Sequence, residues 1–182
     1  MNILQKIFYK VILAFVVYCG FTLPQNQTEI ISKQNQSEQV EEIRMKKVIG
    51  IGGIFFKSKD PEKIKQWYNS NLGLATNEYG SLFEFRNSDP PSEKVYAQWS
   101  PFKEDTKYFL PSEKDFMINF RVENLERLVE ELKSNGVTVL DSIEEYEYGK
   151  FVHIIDPENN KIELWEPVDS VFTNLYEGKT TK

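Results

Sequence analysis

The sequence predicts an α+β protein in which one module, a strand, a helix and three further strands, is written twice. Three observations carry that prediction. IGGIFFKSKD at 51–60 aligns with DFMINFRVEN at 115–124, with Ile54 on Ile118, Phe56 on Phe120 and Asp60 on Asn124. Each is followed by a stretch of helical period, PEKIKQWYNSNLGL and LERLVEELKSNGV, stopped by Gly73 and Gly136. Each copy then closes on a strand ending in Trp-x-Pro, Trp99-Ser100-Pro101 and Trp165-Glu166-Pro167. A doubled βαβββ unit is expected to form two half-sheets related by a pseudo-twofold axis, with Trp99 over Trp165. The half-sheets would enclose a cup, and a ligand or any chemistry belongs there.

The elements follow in order. The first strand, 48–57, alternates Ile54 and Phe56 on one face with Gly53, Phe55 and Lys57 on the other. Asp60 caps the first helix, Pro61 fits its first position, and Ile64, Trp67, Tyr68 and Leu72 share a face. Short strands are expected at 75–79, 81–86 and 94–100, parted by the turn at Tyr79-Gly80-Ser81 and the loop at Ser88-Asp89-Pro90-Pro91. Residues 101–114 join the modules without a clear period. The second module has a strand at 115–122, a helix at 124–135 and strands at 137–141, 150–155 and 161–165, the last two joined by a turn at 156–160. The domain thus spans 46–168, in modules of about 46–102 and 115–168, and 169–182 reads as a tail with one helical turn.

The N-terminus differs in kind. Lys6 and Lys10 precede the apolar run VILAFVVYCGF, which has signal-peptide length and is short for a membrane span. Residues 1–22 therefore read as a signal peptide or N-terminal anchor, with Cys19 a candidate for lipid attachment, and 23–45 as a polar linker. Translation from Met1 implies an exported or membrane-anchored protein, attached through the N-terminus only. Translation from Met45 implies a cytoplasmic one. A single Cys excludes an intramolecular disulfide in either case. The net charge is −6, and residues 1–44 carry four Lys/Arg and four Asp/Glu, so the domain keeps all of it. No basic stripe stands out, which excludes a nucleic-acid backbone as partner.

Several side chains are candidates for the cup. Glu163 alternates with Ile162 and Leu164. It reads as an acid or base with apolar walls, or as a remnant paired with Arg121 or Lys57. His153 precedes the closing turn and reads as a general base or as a packed, hydrogen-bonded imidazole. Asn119 and Arg121 share a face with Met117, and Arg121 suits a carboxylate clamp or a salt bridge across the sheet. The run Glu144-Glu145-Tyr146-Glu147-Tyr148-Gly149 reads as a lip over the cup, with Tyr148 donating to a ligand, or as a solvated edge strand. Phe55, Trp99 and Trp165 complete the aromatic wall. The pair Gly52-Gly53 lacks the spacing of a phosphate loop and points to close backbone packing.

IGGIFFKSKDPEKIKQWYNSNLGL and DPENNKIELWEP together resemble the vicinal oxygen chelate superfamily, which groups glyoxalases, bleomycin-resistance proteins and extradiol dioxygenases. The resemblance covers about 46–167. It implies paired βαβββ modules, frequent homodimers, and a divalent metal that chelates vicinal oxygens of a small substrate. Carried over residue by residue, the metal positions fall on Gly53, Met117, Ala97 or Gln98, and Glu163. Glu163 alone retains a family ligand. The resemblance thus implies a protein that binds a small, partly aromatic or oxygenated molecule beside a degenerate metal site, with no cofactor. The alternative is a lyase, isomerase or dioxygenase using Glu163, either with a divalent metal completed by His153 or as a metal-free acid/base. An exported interaction module with no small ligand is the third reading.

Overall fold

The computed structural model describes residues 47–182 together with Gln27, Ile30, Lys33 and Gln34. The chain divides into two units, Met1–Met45 and Lys46–Lys182. In the first, the four described residues are helical where the composition predicts a linker. Gln and Lys are sound helix formers, and a helical stretch is compatible with a linker. The predicted signal or anchor and Cys19 lie outside the described residues. Among the described residues no helix is long and apolar enough to cross a membrane.

The second unit carries the doubled module. Its first copy is β1 (Val48–Ser58), α1 (Pro61–Leu72), β2 (Thr76–Asn77), β3 (Gly80–Arg86) and β4 (Lys94–Lys103). Its second is β5 (Phe116–Val122), α2 (Leu125–Ser134), β6 (Thr138–Val139), β7 (Glu144–Tyr146), β8 (Gly149–Ile155) and β9 (Lys161–Pro167). A further helix, α3 (Asp169–Tyr176), follows. The strands form one mixed sheet in the order β2-β3-β4-β1-β5-β9-β8-β6, with β7 paired to β8. β1 runs parallel to β4 and β5 parallel to β9, while β1 and β5 meet antiparallel with Ile54 opposite Ile118. The two modules therefore join along β1 and β5, and the pseudo-twofold axis passes there.

The helices cover the convex face unequally. Asp60 accepts a hydrogen bond from the Lys63 amide at 3.0 Å, and Gly73, at φ 72°, closes α1 by donating its amide to Asn69. On α2, Leu125, Leu128 and Val129 pack on Val122, Val152 and Leu164, and this is the main core. Each such side chain contributes about 1.5–3 kcal/mol on full burial. α1 presents a different face from the one expected. Trp67 and Leu72 are more than half exposed, and Lys65 is buried instead. The Lys65 stem covers apolar surface while its Nζ donates to the Glu78 carbonyl at 2.9 Å.

Two expectations need correction. Trp99 does not superpose on Trp165. Trp99 pairs with Ile54 and packs against Phe56 and Tyr68 beneath α1, whereas Trp165 pairs with Arg121 on the concave face. The two Trp-x-Pro strings look alike but fall on opposite parity of their strands, so one Trp points out and the other in. The tail from 169 is also more than one helical turn. α3 is held by the Arg121–Asp169 ion pair and by the Tyr96 hydroxyl bonded to Thr173 at 2.8 Å. Beyond it the Thr181 amide donates to the Leu82 carbonyl and the Glu84 amide donates to the Thr181 carbonyl, which lays the chain end along β3.

Candidate functional site

Strand parity decides what faces the concave side. On β4 these are Tyr96, Gln98, Ser100 and Phe102; on β5, Met117, Asn119 and Arg121; on β8, Phe151 and His153; on β9, Lys161, Glu163 and Trp165. All of these but Tyr96, Met117, Arg121 and Lys161 join α3 and Tyr108 of the 104–115 loop around a cavity of about 550 Å³. In β1 the pairing passes from Ile51 opposite Phe120 to Gly53 opposite Asn119, so Gly52 is an extra residue in a bulge. That bulge puts Gly52 on the cup floor. A Cβ there would overlap Asn119 Oδ1 and come within 2.8 Å of the Trp165 ring, so only glycine leaves room for these side chains as they stand.

Glu163 lies at the floor and is almost fully buried. Its Oε1 accepts from Asn119 Nδ2 at 2.6 Å. Its Oε2 meets His153 Nε2 at 3.0 Å and accepts from the Tyr108 hydroxyl. A carboxylate has about four acceptor sites, so three donors leave one open, on Oε1. A buried carboxylate without such donors would be far too costly. Behind His153 stands Asp141, whose Oδ2 lies 2.6 Å from Nδ1 and whose Oδ1 accepts from the His153 amide at 2.8 Å. The sheet thus carries a chain Asp141–His153–Glu163, with the imidazole fixed between two carboxylates. Burial works against the charged imidazole, but hydrogen bonds and charge from Glu163, with the hydrogen bond from Asp141, outweigh it and hold His153 above its ordinary value. Burial, then the charge of Glu163, pushes the Tyr108 phenol up, so it stays a donor. Among the described residues Asn119 Oδ1 is buried without a partner, which costs about 1–3 kcal/mol.

Aromatic rings form the walls. Tyr146 and Tyr148 stack at 5.3 Å on the rim, Phe151 and Trp165 stack at 5.8 Å, and Phe172 of α3 meets Trp165 edge-on. Phe102 stacks on Tyr108 at 5.4 Å, and Phe55, Phe109 and Met117 fill the end beyond them.

The structure brings Glu163, His153, Phe55, Asn119, Tyr148 and Trp165 around this cavity. Trp99 is not among them, for the reason of parity given above. Arg121 lies behind the wall and is committed there. Its guanidinium holds Asp169 at 3.1 and 2.5 Å, donates to the Tyr96 carbonyl and stacks on Trp165 at 5.2 Å. It therefore clamps α3 rather than a ligand, because α3 brings its own carboxylate. Glu163 pairs with neither Arg121 nor Lys57, whose partner is Asp115 at 3.4 Å. The 144–148 run is both an edge strand and part of the lip. Sequence reasoning missed Tyr108, Asp141, Phe172 and Tyr176. The spacing of Phe172, Leu175 and Tyr176 was the one signal, since it is that of a helix face.

At the positions where the family resemblance implies metal ligands, Gly53 offers no side chain and Met117 is packed among Phe55 and Phe109. The Gln98 amide nitrogen donates to the carbonyls of Trp99 and Tyr79, at 3.1 and 3.3 Å. Among the described residues no cluster of three or more His, Cys, Asp or Glu is placed to hold an ion.

Solved structures similar to the chain include methylmalonyl-CoA epimerase from Mycobacterium tuberculosis, at 19% identity over 69% of this chain and 93% of that one, with a TM-score of 0.44. A variant of the Streptomyces coelicolor methylmalonyl-CoA epimerase in complex with 2-nitronate-propionyl-CoA matches at 15% identity over 66% and 99%, with a TM-score of 0.48. The 2,3-dioxygenase LapB from Pseudomonas sp. KL28 matches at 21% over 68% of this chain and 42% of that one, with a TM-score of 0.45. A search of curated proteins gives no match. The sequence profile of one family matches residues 50–164, most of the folded unit. The chain belongs to the Glyoxalase/Bleomycin resistance protein/Dioxygenase superfamily.

Proposed function

We propose that this protein binds a small, flat organic molecule in the cup and carries no resident divalent metal there. The observation that carries the reading is Glu163, three of whose four acceptor sites are filled by Asn119, Tyr108 and His153 beneath aromatic walls. A divalent ion needs three or four oxygen or nitrogen donors. Gly53 and Met117 supply none, the Gln98 amide nitrogen is turned to backbone carbonyls, and Glu163 has one acceptor site left, on Oε1, so it could give an ion a single bond without losing a protein partner. The residues present therefore do not fit the ion. A cavity of about 550 Å³ lined by rings suits a small organic ligand instead. Ligand-observed NMR with a set of aromatic fragments tests this. Fragments should bind the wild type and weaken on Tyr148→Ala, at an exposed rim position. Hits indifferent to Tyr148→Ala and to Glu163→Gln, or no hits, contradict the reading.

The Asp141–His153–Glu163 chain favours a second reading, a metal-free acid/base enzyme. Glu163 would take a proton from the ligand at its open Oε1 site. The imidazolium of His153 would stabilise the carboxylate beforehand, and Asp141 would hold the ring. Exchange of a bound ligand's acidic proton for deuterium, lost in Glu163→Gln while binding persists, would establish it. Equal exchange in both proteins would exclude it.

A further inference from the structure

We propose that the molecule this cup selects is a compact organic cation, an aromatic or benzylic amine in its ammonium form, and not a carboxylate. The inference rests on the binding reading above and names the chemical class of its ligand.

Hydrogen-bond donors on the floor are already spent. Asn119 Nδ2, the Tyr108 hydroxyl and His153 Nε2 all face Glu163. Gln98 Nε2 and the Ser100 hydroxyl donate to the Tyr79 carbonyl, and Trp165 Nε1 donates to the Tyr148 carbonyl at 3.3 Å. A ligand carboxylate or carbonyl arriving at the floor meets no free donor there among the described residues. A ligand N–H meets the open acceptor site of Glu163. Asn119 Oδ1 is a second, independent sign. It is a buried acceptor with no partner among the described residues, on a side chain that lines the cup, and its dipole adds negative potential to the floor.

Charge points the same way. Glu144 and Glu163 line the cavity, and among the described residues no Lys or Arg does. The two nearest cations are turned elsewhere: Arg121 to Asp169, and Lys161 to the Tyr108 carbonyl at 2.7 Å. With His153 charged, Asp141, His153, Glu163 and the adjacent Lys161 sum to zero, and Glu144 leaves the site with one negative charge. Phenols report this field. Burial first, and then the charge of Glu163, raises both Tyr108 and Tyr148. The walls supply what an ammonium needs next. The rings of Tyr146, Tyr148, Phe151, Trp165 and Phe172 surround the space with π faces and edges, and a desolvated cation is attracted to such faces.

Isothermal titration of the full chain with benzylammonium, benzyl alcohol and benzoate tests the inference, because the shared phenyl ring cancels the apolar contribution. Benzylammonium should bind about ten-fold more tightly than benzyl alcohol, with benzoate weakest. Glu144→Gln, at an exposed rim position, should weaken the cation alone, by about three-fold, and salt should narrow the gap. Benzoate or benzyl alcohol matching the ammonium overturns the cation preference and leaves the binding cup standing. If none of the three binds, the charge of the fragments found by NMR decides. Cationic hits uphold the inference, neutral or anionic hits overturn it, and no hits at all overturn the binding reading as well.

Discussion

Replacing Gly52 by alanine tests whether the bulge in β1 builds the cup floor. The backbone at Gly52 is not in the left-handed region, so alanine suffers no conformational strain and the effect reports space alone. The added methyl would overlap Asn119 Oδ1, sit 2.8 Å from Trp165 Cε3 and 3.0 Å from Arg121 Cγ. Trp165 is held by its stack on Phe151, and Arg121 by Asp169, so Asn119 must move. Moving it breaks the 2.6 Å bond to Glu163. Overpacking costs about 1–3 kcal/mol, and a hydrogen bond to a charged group about 1.5–3 kcal/mol. The expected loss is about 3–5 kcal/mol, a drop of about 6–20 °C in a domain of this size. Differential scanning calorimetry measures it. Asn119→Ala should remove most of the overlap, so the double variant should be less destabilised than the sum of the two singles. A Gly52→Ala protein within about 0.5 kcal/mol of wild type, or strictly additive singles, would refute the argument.

Two further predictions follow from the pairs that surround the floor. Arg121→Met removes a buried guanidinium from Asp169 and should cost about 3 kcal/mol by denaturant unfolding, with hydrogen exchange in 169–176 quickened most; uniform protection across α3 would contradict its role as the clamp of that helix. His153 is held above its ordinary value of 6.5 while Asp141, Glu163, Tyr108 and Lys161 face it. A raised value means the charged ring favours the folded state. That contribution is complete below about pH 6.5 and fades as pH rises through the folded value. Unfolding free energies measured in steps from pH 6 to 9 should thus decline in the wild type relative to His153→Gln, and a relative rise would show the sign to be wrong.

The fold was legible because its signals are local and repeated. Asp60, Pro61 and Gly73 mark one helix by capping chemistry, and the match of Ile54 with Ile118 locates the seam between modules. Parity was harder. Similar strings at Trp99 and Trp165 suggested equivalence, yet only the pairing register shows which face each occupies. The Gly52-Gly53 pair pointed to close backbone packing, whereas side chains of Asn119, Trp165 and Arg121 crowd Gly52, and strict alternation could not reveal the bulge that moves it to the floor. Within the site, Glu163 and His153 were visible because they alternate with apolar neighbours on short strands. Tyr108 and Asp141 were not. Tyr108 stands in a segment without regular period and Asp141 at the last residue of an expected strand, and what brings them to Glu163 and His153 is long-range closure of the chain. For Arg121 the sequence left a ligand clamp and a salt bridge both open, and could not name its partner, because Asp169 lies in a helix that the sequence suggested only as a turn.

Metal content of the full chain, purified without chelator and dialysed at neutral pH, tests the central claim most directly. With Gly53 and Met117 offering no ligand and Glu163 engaged by Asn119, Tyr108 and His153, the account predicts far less than one Ni, Zn, Fe or Mn per chain. About one divalent ion per chain, lost on Glu163→Ala, would contradict it and make the cup a metal centre.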